Sequence, residues 1–504
     1  MGKAKYTFGM NEPAFMRDWL AVRADATPEA TALAAAGDVD ARATYADLDH
    51  RAETLAGRLA ARGVGVDDPL AVCSGTRAAF VEVVHAAQRL GATLVPVDAR
   101  ATAAELDVRF DRVSPAAVVC EAATETAAVE AADALVLSLD DPTADAEPLS
   151  AVDPEPFDLP EWAVDDPVAV LFTSGTTGDP KGVVLTTANV LASAAASAFR
   201  LGLLPDDCWH VALPMYHTGG LAPVYRSVLY GTTLSVQRDF EPAATLSAMR
   251  AADATGVSLV PTMLERLLEA GSLPDLRVVL VGGAPCPPDL LGRADDRGVP
   301  VAPTYGMTET ASQIATARPS VAADHPDSVG HPLLFAELSV VDEAGARCDP
   351  GESGELAVGG AAVTPGYLDA DRTAEAFCSA GLRTGDRGHR DEAGRVYVEG
   401  RLDDTIVTGG ENVDPAEVAT ALRRHDAVAD CAVVGLPDEE WGQRVAALVV
   451  ADGGASAADL REHCRGRLAD FKRPRTVDFA AELPRTASGT VDRAAVRRGL
   501  RADD

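Results

Sequence analysis

The amino-acid sequence predicts an α/β protein with a large N-terminal α/β domain, a β-rich subdomain and a small α+β C-terminal domain. Its 504 residues exceed what one hydrophobic core usually accommodates. Helical and strand patterns alternate over residues 13–305, which is typical of a largely parallel sheet. Short strands separated by Gly and Asp turns then fill 338–398, and a compact mixed segment follows residue 400. We therefore expect domains at 1–400 and 401–504.

The N-terminal alternation is built from short elements. Helical spacing is found at 13–26, 45–61, 78–90, 187–200 and 221–229. Strand patterns are found at 70–73, 93–97, 116–120, 134–137, 168–172, 209–213, 232–236, 257–260 and 278–281. The segment 140–166, rich in Asp, Glu and Pro, indicates a surface connection.

The stretch VLFTSGTTGDPKGVVL contains a polar loop between two apolar runs. Its hydroxyl residues, glycines and lysine are Ser174, Gly175, Thr176, Thr177, Gly178, Lys181 and Gly182. Such a loop brings backbone N–H groups and hydroxyls close to phosphate oxygens, and the lysine adds a positive charge. The alternative is a plain hairpin turn. It is not the usual P-loop, because a β-branched run follows the lysine where that motif begins a helix.

A second candidate segment reads PMYHTGGLAPVYRSVLYG. His217 lies at a predicted strand-to-loop junction, and Arg226 lies inside the apolar helix 221–229. An arginine among apolar neighbours needs an anionic partner or an exit to solvent. The alternatives are therefore a carboxylate-binding arginine and one that snorkels to the surface.

Two further loops follow predicted strands. Gly283 and Ala284 follow 278–281 and bring backbone close to a ligand or a neighbouring strand. The sequence YGMTE then offers Tyr305 for stacking on a planar ring, Thr308 for a phosphate and Glu309 for a divalent cation. The alternative is that Thr308 and Glu309 only cap a helix.

Asp386 is predicted in a tight turn within the β-rich segment. It suits either ribose hydroxyls or the turn itself.

Composition excludes several classes of protein. The 77 acidic residues against 44 basic ones give a net charge of −33, which disfavours nucleic-acid binding. The acid is spread along the chain, so we interpret it as the surface of a protein from a salt-rich cytoplasm. No apolar run is long enough to span a bilayer, and eight scattered cysteines indicate neither a disulfide framework nor a metal site. Homo-oligomer formation stays open.

Five stretches together resemble the adenylate-forming acyl-CoA synthetase family. They are TSGTTGDPKG, PMYHTGG, YGMTE, TGD and GRLDD…GGEN, in the family's order and spacing across nearly the whole chain. The resemblance implies that a carboxylic acid reacts with ATP and Mg²⁺ to an acyl-adenylate, and then with CoA to a thioester. It also implies a C-terminal domain that rotates about a hinge at Asp403.

The resemblance assigns roles to individual residues. Ser174 to Lys181 hold phosphates, and His217 is a catalytic and acid-binding residue. Thr308 serves the phosphate and Glu309 the metal. The remaining nucleotide and CoA contacts fall on Gly283, Ala284, Tyr305, Gly306, Asp386, Arg401, Gly409 and Gly410.

Within the family, three stretches resemble the o-succinylbenzoate–CoA ligases of menaquinone synthesis. These are MYHTGGLAPVYRSVLYG, LVGGAPCPPDLL and VPVAPTYGMTETASQIAT. In those enzymes a basic residue at the position of Arg226 faces the substrate's succinyl carboxylate, and a serine at the position of Ser312 lies in the acyl pocket. One alternative is a medium-chain or aryl acid–CoA ligase, in which Arg226 is only structural.

The C-terminal motif departs from the family pattern. The family has a lysine that completes the adenylation site, whereas this chain reads LPRTASGT with Thr490 in the lysine's place. The departure supports a second alternative, a nucleotide-binding regulatory protein that has lost adenylation. The intact nucleotide loops argue against that alternative.

Overall fold

A computed structural model describes residues 18–34, 42–173, 180–404, 406–408, 411–438, 441–465, 467–486 and 490–502. The chain divides into two compact units. The first comprises Met1–Gly282, Cys286–Glu337 and Gly359–Phe377, and the second comprises Gly283–Pro285, Leu338–Val358 and Cys378–Asp504. The second unit thus includes most of the β-rich segment as well as the C-terminal residues. The functional boundary at 400/401 stays a prediction.

The helices and strands follow one another in the order that the sequence patterns predicted. The α-helices are α1 (Trp19–Ala26), α2 (Tyr45–Ala60), α3 (Ala78–Leu90), α4 (Ala103–Val113), α5 (Glu125–Ala131), α6 (Thr187–Leu201), α7 (Thr218–Tyr230), α8 (Pro242–Ala251), α9 (Pro261–Ala270), α10 (Pro288–Asp295), α11 (Pro319–Asp324), α12 (Ala370–Ala376), α13 (Pro415–Arg423), α14 (Ala457–Arg465) and α15 (Arg493–Ala502). The strands are β1 (Thr31–Ala34), β2 (Ala43–Thr44), β3 (Pro69–Cys73), β4 (Thr93–Pro96), β5 (Ala117–Cys120), β6 (Leu135–Ser138), β7 (Glu147–Pro148), β8 (Pro167–Thr173), β9 (Lys181–Thr186), β10 (Cys208–Val211), β11 (Thr233–Val236), β12 (Gly256–Leu259), β13 (Val278–Val281), β14 (Val301–Tyr305), β15 (Ala315–Thr316), β16 (His331–Pro332), β17 (Glu337–Val341), β18 (Gly354–Gly359), β19 (Gly366–Tyr367), β20 (Phe377–Cys378), β21 (Gly381–Arg390), β22 (Val396–Arg401), β23 (Ile406–Thr408), β24 (Glu411–Val413), β25 (Val428–Asp438), β26 (Gly442–Ala451) and β27 (Thr476–Phe479).

Two sheets organise the described part of the first unit. One has the order β16-β15-β14-β13-β12-β10-β11-β1-β2, and the other has the order β19-β9-β8-β4-β3-β5-β6-β7. Neighbours from β14 to β1 and from β8 to β7 pair in parallel, as the helix–strand alternation predicted. The antiparallel pair β8–β9 is the predicted hairpin around the polar loop.

Helix α7 is anchored deep in this unit. The completely buried Tyr45 begins α2, and its hydroxyl lies 2.9 Å from the Ser227 carbonyl oxygen and 2.7 Å from that of Thr232. Near the start of α7, a Cβ on Gly220 would overlap the Pro214 carbonyl, so only glycine allows this approach. Both ends of α7 are therefore fixed, which holds the side chain of Arg226 in place.

Two further sheets belong to the second unit. In the first, β17-β18-β21-β20 with β22 beside β21, the pairs β18–β21 and β21–β22 are antiparallel as predicted. The second sheet is β24-β23-β26-β25 with β27 parallel to β26. The long pair β25–β26 is antiparallel.

Candidate active site

The polar loop connects the two strands of the hairpin β8–β9. Thr173 and Lys181 are directly paired where the strands end, so the loop leaves and returns at one point of the sheet. The predicted phosphate-binding residues Ser174, Gly175, Thr176, Thr177 and Gly178 lie outside the described residues. Their role stays a prediction.

A tyrosine that sequence reasoning missed lies between two of the predicted catalytic residues. The Lys181 ammonium lies 5.6 Å from the centroid of the Tyr367 ring, and the Tyr367 hydroxyl donates a hydrogen bond of 2.9 Å to Glu309 Oε1. Strand β19 positions this tyrosine, because Tyr367 pairs with Val183 two residues after the lysine. Among the described residues no carboxylate pairs with Lys181. Its charge is therefore held by a ring face and stays available to an anion.

The predicted helix caps are not helix caps. Thr308 and Glu309 belong to a single 3₁₀ turn, Thr308–Thr310, and the Glu309 side chain is 6% exposed. Its carboxylate accepts the Tyr367 hydroxyl instead of a backbone N–H. A buried carboxylate with one oxygen held by a phenol suits a cation that completes its coordination shell elsewhere.

The turn after β14 requires glycine. A Cβ on Gly306 would overlap the Ser312 carbonyl oxygen, so the chain folds back tightly between Tyr305 and Ser312. Ala311 adopts a φ of 54°, which non-glycine residues rarely do. This strained return brings Ser312 and Gln313 to the wall of a cavity.

That cavity lies between α6, α7 and the turn after β14. The cavity is narrow, with a volume of about 20 Å³ for water-sized molecules. Apolar side chains share the lining with hydroxyl, amide and guanidinium groups, a combination that is found in small-molecule sites. It is formed by Leu185, Val190, Ser193, Ala194, Ser197, Thr218, Leu221, Ala222, Tyr225, Arg226, Ala311, Ser312 and Gln313. The structure therefore brings together Arg226 and Ser312, as predicted for an acyl pocket.

Arg226 is buried, and no acidic side chain among the described residues pairs with it. Arg226 is only 4% exposed, so the snorkelling alternative is wrong. Nη1 donates to Ser197 Oγ at 2.8 Å, and the guanidinium carbon lies 4.3 Å from the centroid of the Trp209 ring. In the described part of the chain Nη2 has no hydrogen-bond partner. Burial lowers the pKa of Arg226 to about 10, so it is still a cation at neutral pH.

His217 precedes α7 as its N-cap residue. Its ring lies 4.5 Å from that of Tyr216, and burial lowers the pKa of His217, so the neutral imidazole is favoured. No described residue contacts its buried Nε2 within hydrogen-bond distance. The next residue, Thr218, lines the cavity. Among the described residues this imidazole has no partner at Nε2, and it precedes a cavity-lining residue, which suits a ligand contact.

In the second unit, Asp386 and Arg401 contact each other. They are directly opposite in β21 and β22, and Arg401 Nη1 donates to Asp386 Oδ1 at 3.1 Å. Asp386 lies inside strand β21, so its prediction in a tight turn is wrong. The glycine before it, Gly385, has a positive φ of 69°, which glycines also adopt in turns, and the sequence therefore resembled a turn. The guanidinium also bonds the Thr384 carbonyl at 3.0 Å. The pair is preorganised, which suits recognition of vicinal hydroxyls.

The structure gives less information on the remaining predicted ligand residues. Gly283 follows β13 with a φ of 77°, which favours glycine, and Ala284 comes next. Gly409 and Gly410 lie outside the described residues, as does the side chain of Asp403. Their roles stay predictions.

The segment around Thr490 carries its own hydrogen bonds. Thr486 N–H donates to the Thr490 carbonyl at 2.7 Å, and their hydroxyls lie 2.7 Å apart. The neighbouring arginines are ion-paired within the same unit: Arg485 with Asp430 at 2.8 Å and Arg493 with Asp404 at 3.1 Å. Each arginine charge is therefore partly offset.

No helix in the described part of the chain combines the length and apolarity needed to cross a membrane. No group of three or more His, Cys, Asp or Glu side chains there is placed to hold a metal ion. A divalent cation at Glu309 would thus take most of its ligands from a substrate phosphate and water, which is usual for Mg²⁺.

Comparison with known families gives matches over most of the chain. Residues 20–368 match the AMP-binding enzyme family, and residues 417–490 match the AMP-binding enzyme C-terminal domain. The second match ends at Thr490, the residue that departs from the expected lysine.

Curated relatives cover nearly the full length. The 2-succinylbenzoate–CoA ligase of Geobacillus kaustophilus is 40% identical over 493 residues, covering 96% of this chain and 98% of the relative. The enzyme of the same name from Bacillus licheniformis is 36% identical over 479 residues, covering 94% and 98%.

Solved structures agree with these matches. The o-succinylbenzoate CoA synthetase (MenE) from Bacillus subtilis, in complex with the acyl-adenylate intermediate OSB-AMP, is 33% identical with a TM-score of 0.88, covering 96% of this chain and 98% of that one. The same enzyme in complex with ATP and magnesium has a TM-score of 0.87 at 33% identity, covering 96% and 99%. ATP-bound MatB from Rhodopseudomonas palustris reaches 0.87 at 31% identity, covering 96% and 99%. Fold similarity alone therefore does not select the acid.

Proposed function

The chain belongs to the family of AMP-binding enzymes, and from this premise we propose that it is a 2-succinylbenzoate–CoA ligase. As an acid–thiol ligase it converts o-succinylbenzoate, ATP and CoA to o-succinylbenzoyl-CoA, AMP and pyrophosphate in menaquinone biosynthesis. Relatives of this name at up to 40% identity over nearly the whole chain support the assignment. The single observation that carries the choice of acid is the unpartnered Nη2 of the buried Arg226 on the cavity wall.

The residues explain how the first half-reaction is assisted. A carboxylate that attacks the α-phosphate of ATP must approach another anion. We assign the relief of this repulsion to Lys181, to the loop Ser174–Gly178 and to Mg²⁺ bound with the phosphates at Glu309, with Thr308 as a phosphate contact. His217 is assigned to the attacking acid, Tyr305 to adenine, and Asp386 with Arg401 to the ribose.

The acid is assigned to the cavity beside α7. Its apolar wall suits an aromatic ring, and Arg226 with Ser312 suits the carboxylate that does not react. A dicarboxylate gives the buried guanidinium the anionic partner it lacks in the described structure. In the second half-reaction the CoA thiol displaces AMP. We assign Gly409 and Gly410 to contacts with the pantetheine chain, once the C-terminal domain has rotated about the hinge at Asp403.

The assignment is tested by a screen of acids. Pyrophosphate release and CoA thioester formation are measured in molar KCl with o-succinylbenzoate, with benzoate and with the medium-chain acid hexanoate. We expect o-succinylbenzoate to give the highest kcat/KM by a wide margin. A faster simple aliphatic or aryl acid would overturn the substrate, and no pyrophosphate release with any acid would favour the nucleotide-binding regulatory alternative.

Replacing Tyr367 by phenylalanine is expected to raise the Mg²⁺ concentration that ATP binding requires. The change removes the hydroxyl that holds Glu309 Oε1 and keeps the ring face under Lys181. A lost hydrogen bond to a charged group corresponds to about a tenfold or greater rise in the Mg²⁺ concentration for half-maximal ATP binding. Calorimetric titration of ATP at several Mg²⁺ concentrations measures it.

Tyr367→Leu is the matched variant, because it removes the ring as well. We expect it to weaken ATP binding further, including at saturating Mg²⁺, since the lysine loses its ring contact. Identical titrations for the phenylalanine variant and the wild type would contradict the role of the hydroxyl.

We also propose a cytoplasmic, salt-adapted enzyme. With 77 acidic and 44 basic residues, repulsion among carboxylates is expected to destabilise the fold in dilute buffer and to be screened by salt. The melting temperature should therefore rise from dilute buffer to molar KCl. An equal osmolality of sucrose is the control for solute exclusion. An unchanged melting temperature in KCl, or the same rise in sucrose, would refute the adaptation.

A further inference from the structure

A second polar side chain on the cavity wall is incompletely bonded. Gln313 is 3% exposed and lines the same cavity as Arg226. One end of its amide lies 2.8 Å from Thr316 Oγ1 and 3.3 Å from Thr304 Oγ1. The atom at the other end, placed as Oε1, has no hydrogen-bond partner among the described residues. Two cavity-lining residues therefore have a buried polar atom without a partner in the described part of the chain, the second atom being Arg226 Nη2.

Leaving such atoms unpaired is costly, so each is expected to meet a ligand or water. The two ends of a carboxamide have nearly the same shape, and the hydrogen-bond network decides which is oxygen. A threonine hydroxyl both donates and accepts. In the reversed orientation Thr316 donates to the Gln313 oxygen. Thr304 then donates to the Ala315 carbonyl at 3.0 Å, and its 2.8 Å contact with the Thr316 hydroxyl is left without a hydrogen. Reversal therefore costs about one neutral hydrogen bond, which is less than a charge-assisted bond to a ligand contributes.

The charge of the ligand selects between the two orientations. Arg226 is the cation on this wall, and the acid assigned to it is an anion. An amide oxygen directed at a carboxylate would repel it, whereas an amide N–H would donate to it. With the acid bound, the favoured orientation thus has the oxygen toward Thr316 and the NH₂ group toward the ligand.

We propose that Gln313 is a specificity-determining residue that donates Nε2–H to the same carboxylate that Arg226 binds. The inference rests on the proposed function, since it names the second donor for the non-reacting carboxylate of a dicarboxylic acid. Two donors on one carboxylate select dicarboxylates, because an acid without that group leaves both buried donors unpaired.

Two substitutions separate a donor from an acceptor at this position. Gln313→Glu keeps the shape and the ability to accept from Thr316, but its other oxygen carries charge and cannot donate. We expect kcat/KM for o-succinylbenzoate to fall about 100-fold or more in this variant. Gln313→Met, which removes the polar atoms at similar volume, should cost about tenfold.

The control substrate lacks one carboxylate. Two candidates are 4-oxo-4-phenylbutanoate and 2-butanoylbenzoate, each of which lacks a different carboxylate of o-succinylbenzoate. The candidate that the wild type activates serves as the monocarboxylate. We expect its kcat/KM to change less than about threefold in both variants, since it has no group for the donor. Melting temperatures of all three proteins are compared in the same salt.

The outcomes distinguish the possibilities. If Gln313→Glu turns over o-succinylbenzoate as well as the wild type does, the residue is an acceptor and the inference is wrong. Equal losses with both acids, together with a lower melting temperature, would show a structural role and also overturn it. Failure of the proposed function looks different, because the wild type itself would then not prefer o-succinylbenzoate.

Discussion

Replacing Arg226 by glutamine is expected to lower kcat/KM for o-succinylbenzoate by about 10- to 150-fold. This is the effect of one lost charge-assisted hydrogen bond, about 1.5–3 kcal/mol. The guanidinium is buried on the cavity wall, and one of its nitrogens has no partner among the described residues, so a substrate carboxylate is its natural counter-ion. The loss should appear with the dicarboxylate and be much smaller with the monocarboxylate analogue.

A matched control separates ligand binding from packing. Arg266 also lies over an aromatic ring, 5.3 Å from the centroid of Phe240, but it is exposed on α9 and outside the cavity. Arg266→Gln should leave kcat/KM unchanged for both acids. If Arg226→Gln instead lowers kcat/KM equally for the mono- and the dicarboxylate, the arginine is structural, through Ser197 and Trp209.

Replacing Thr490 by lysine is expected to accelerate adenylate formation by about 100-fold or more, the scale of one preorganised electrostatic contact to a transition state. The family places a lysine here, and threonine carries no charge to offset the attacking carboxylate and the α-phosphate. Thioester formation should not change, because that step does not use the lysine. Pyrophosphate release reports the first step, and CoA reacting with preformed acyl-adenylate reports the second.

The competing hypothesis is that Arg485 or Arg493 already supplies the cation. Both are ion-paired within their unit, with Asp430 and Asp404, which favours simple loss of the lysine. A small gain from Thr490→Lys, with adenylation abolished by Arg485→Gln or Arg493→Gln, would support substitution instead.

The control for added charge is Thr486→Lys, since this residue contacts Thr490 on the same segment. An equal gain from it would show that any nearby cation suffices. If neither lysine nor either arginine affects adenylation, the alignment of this motif is at fault.

The sequence was sufficient for the secondary structure wherever a pattern was local. Helix α3 and strand β13 have the predicted bounds, because alternating or helical apolar spacing and a following glycine specify them within a few residues. The five ordered motifs were sufficient to identify the family, since loops that carry out the same chemistry have the same residues in the same order. They also marked Lys181, Glu309 and Arg226.

Only the tertiary structure decided how these residues are supported. Tyr367 lies 186 residues after Lys181 and joins it to Glu309 because β19 pairs with β9, a long-range register that no local pattern contains. Arg226 is buried with no carboxylate partner among the described residues, and it shares a cavity with Gln313. Both features depend in the same way on how α6, α7 and the turn after β14 pack. A sequence specifies which side chains are available, whereas hydrogen-bond partners and desolvation depend on distances between segments that are far apart in the chain.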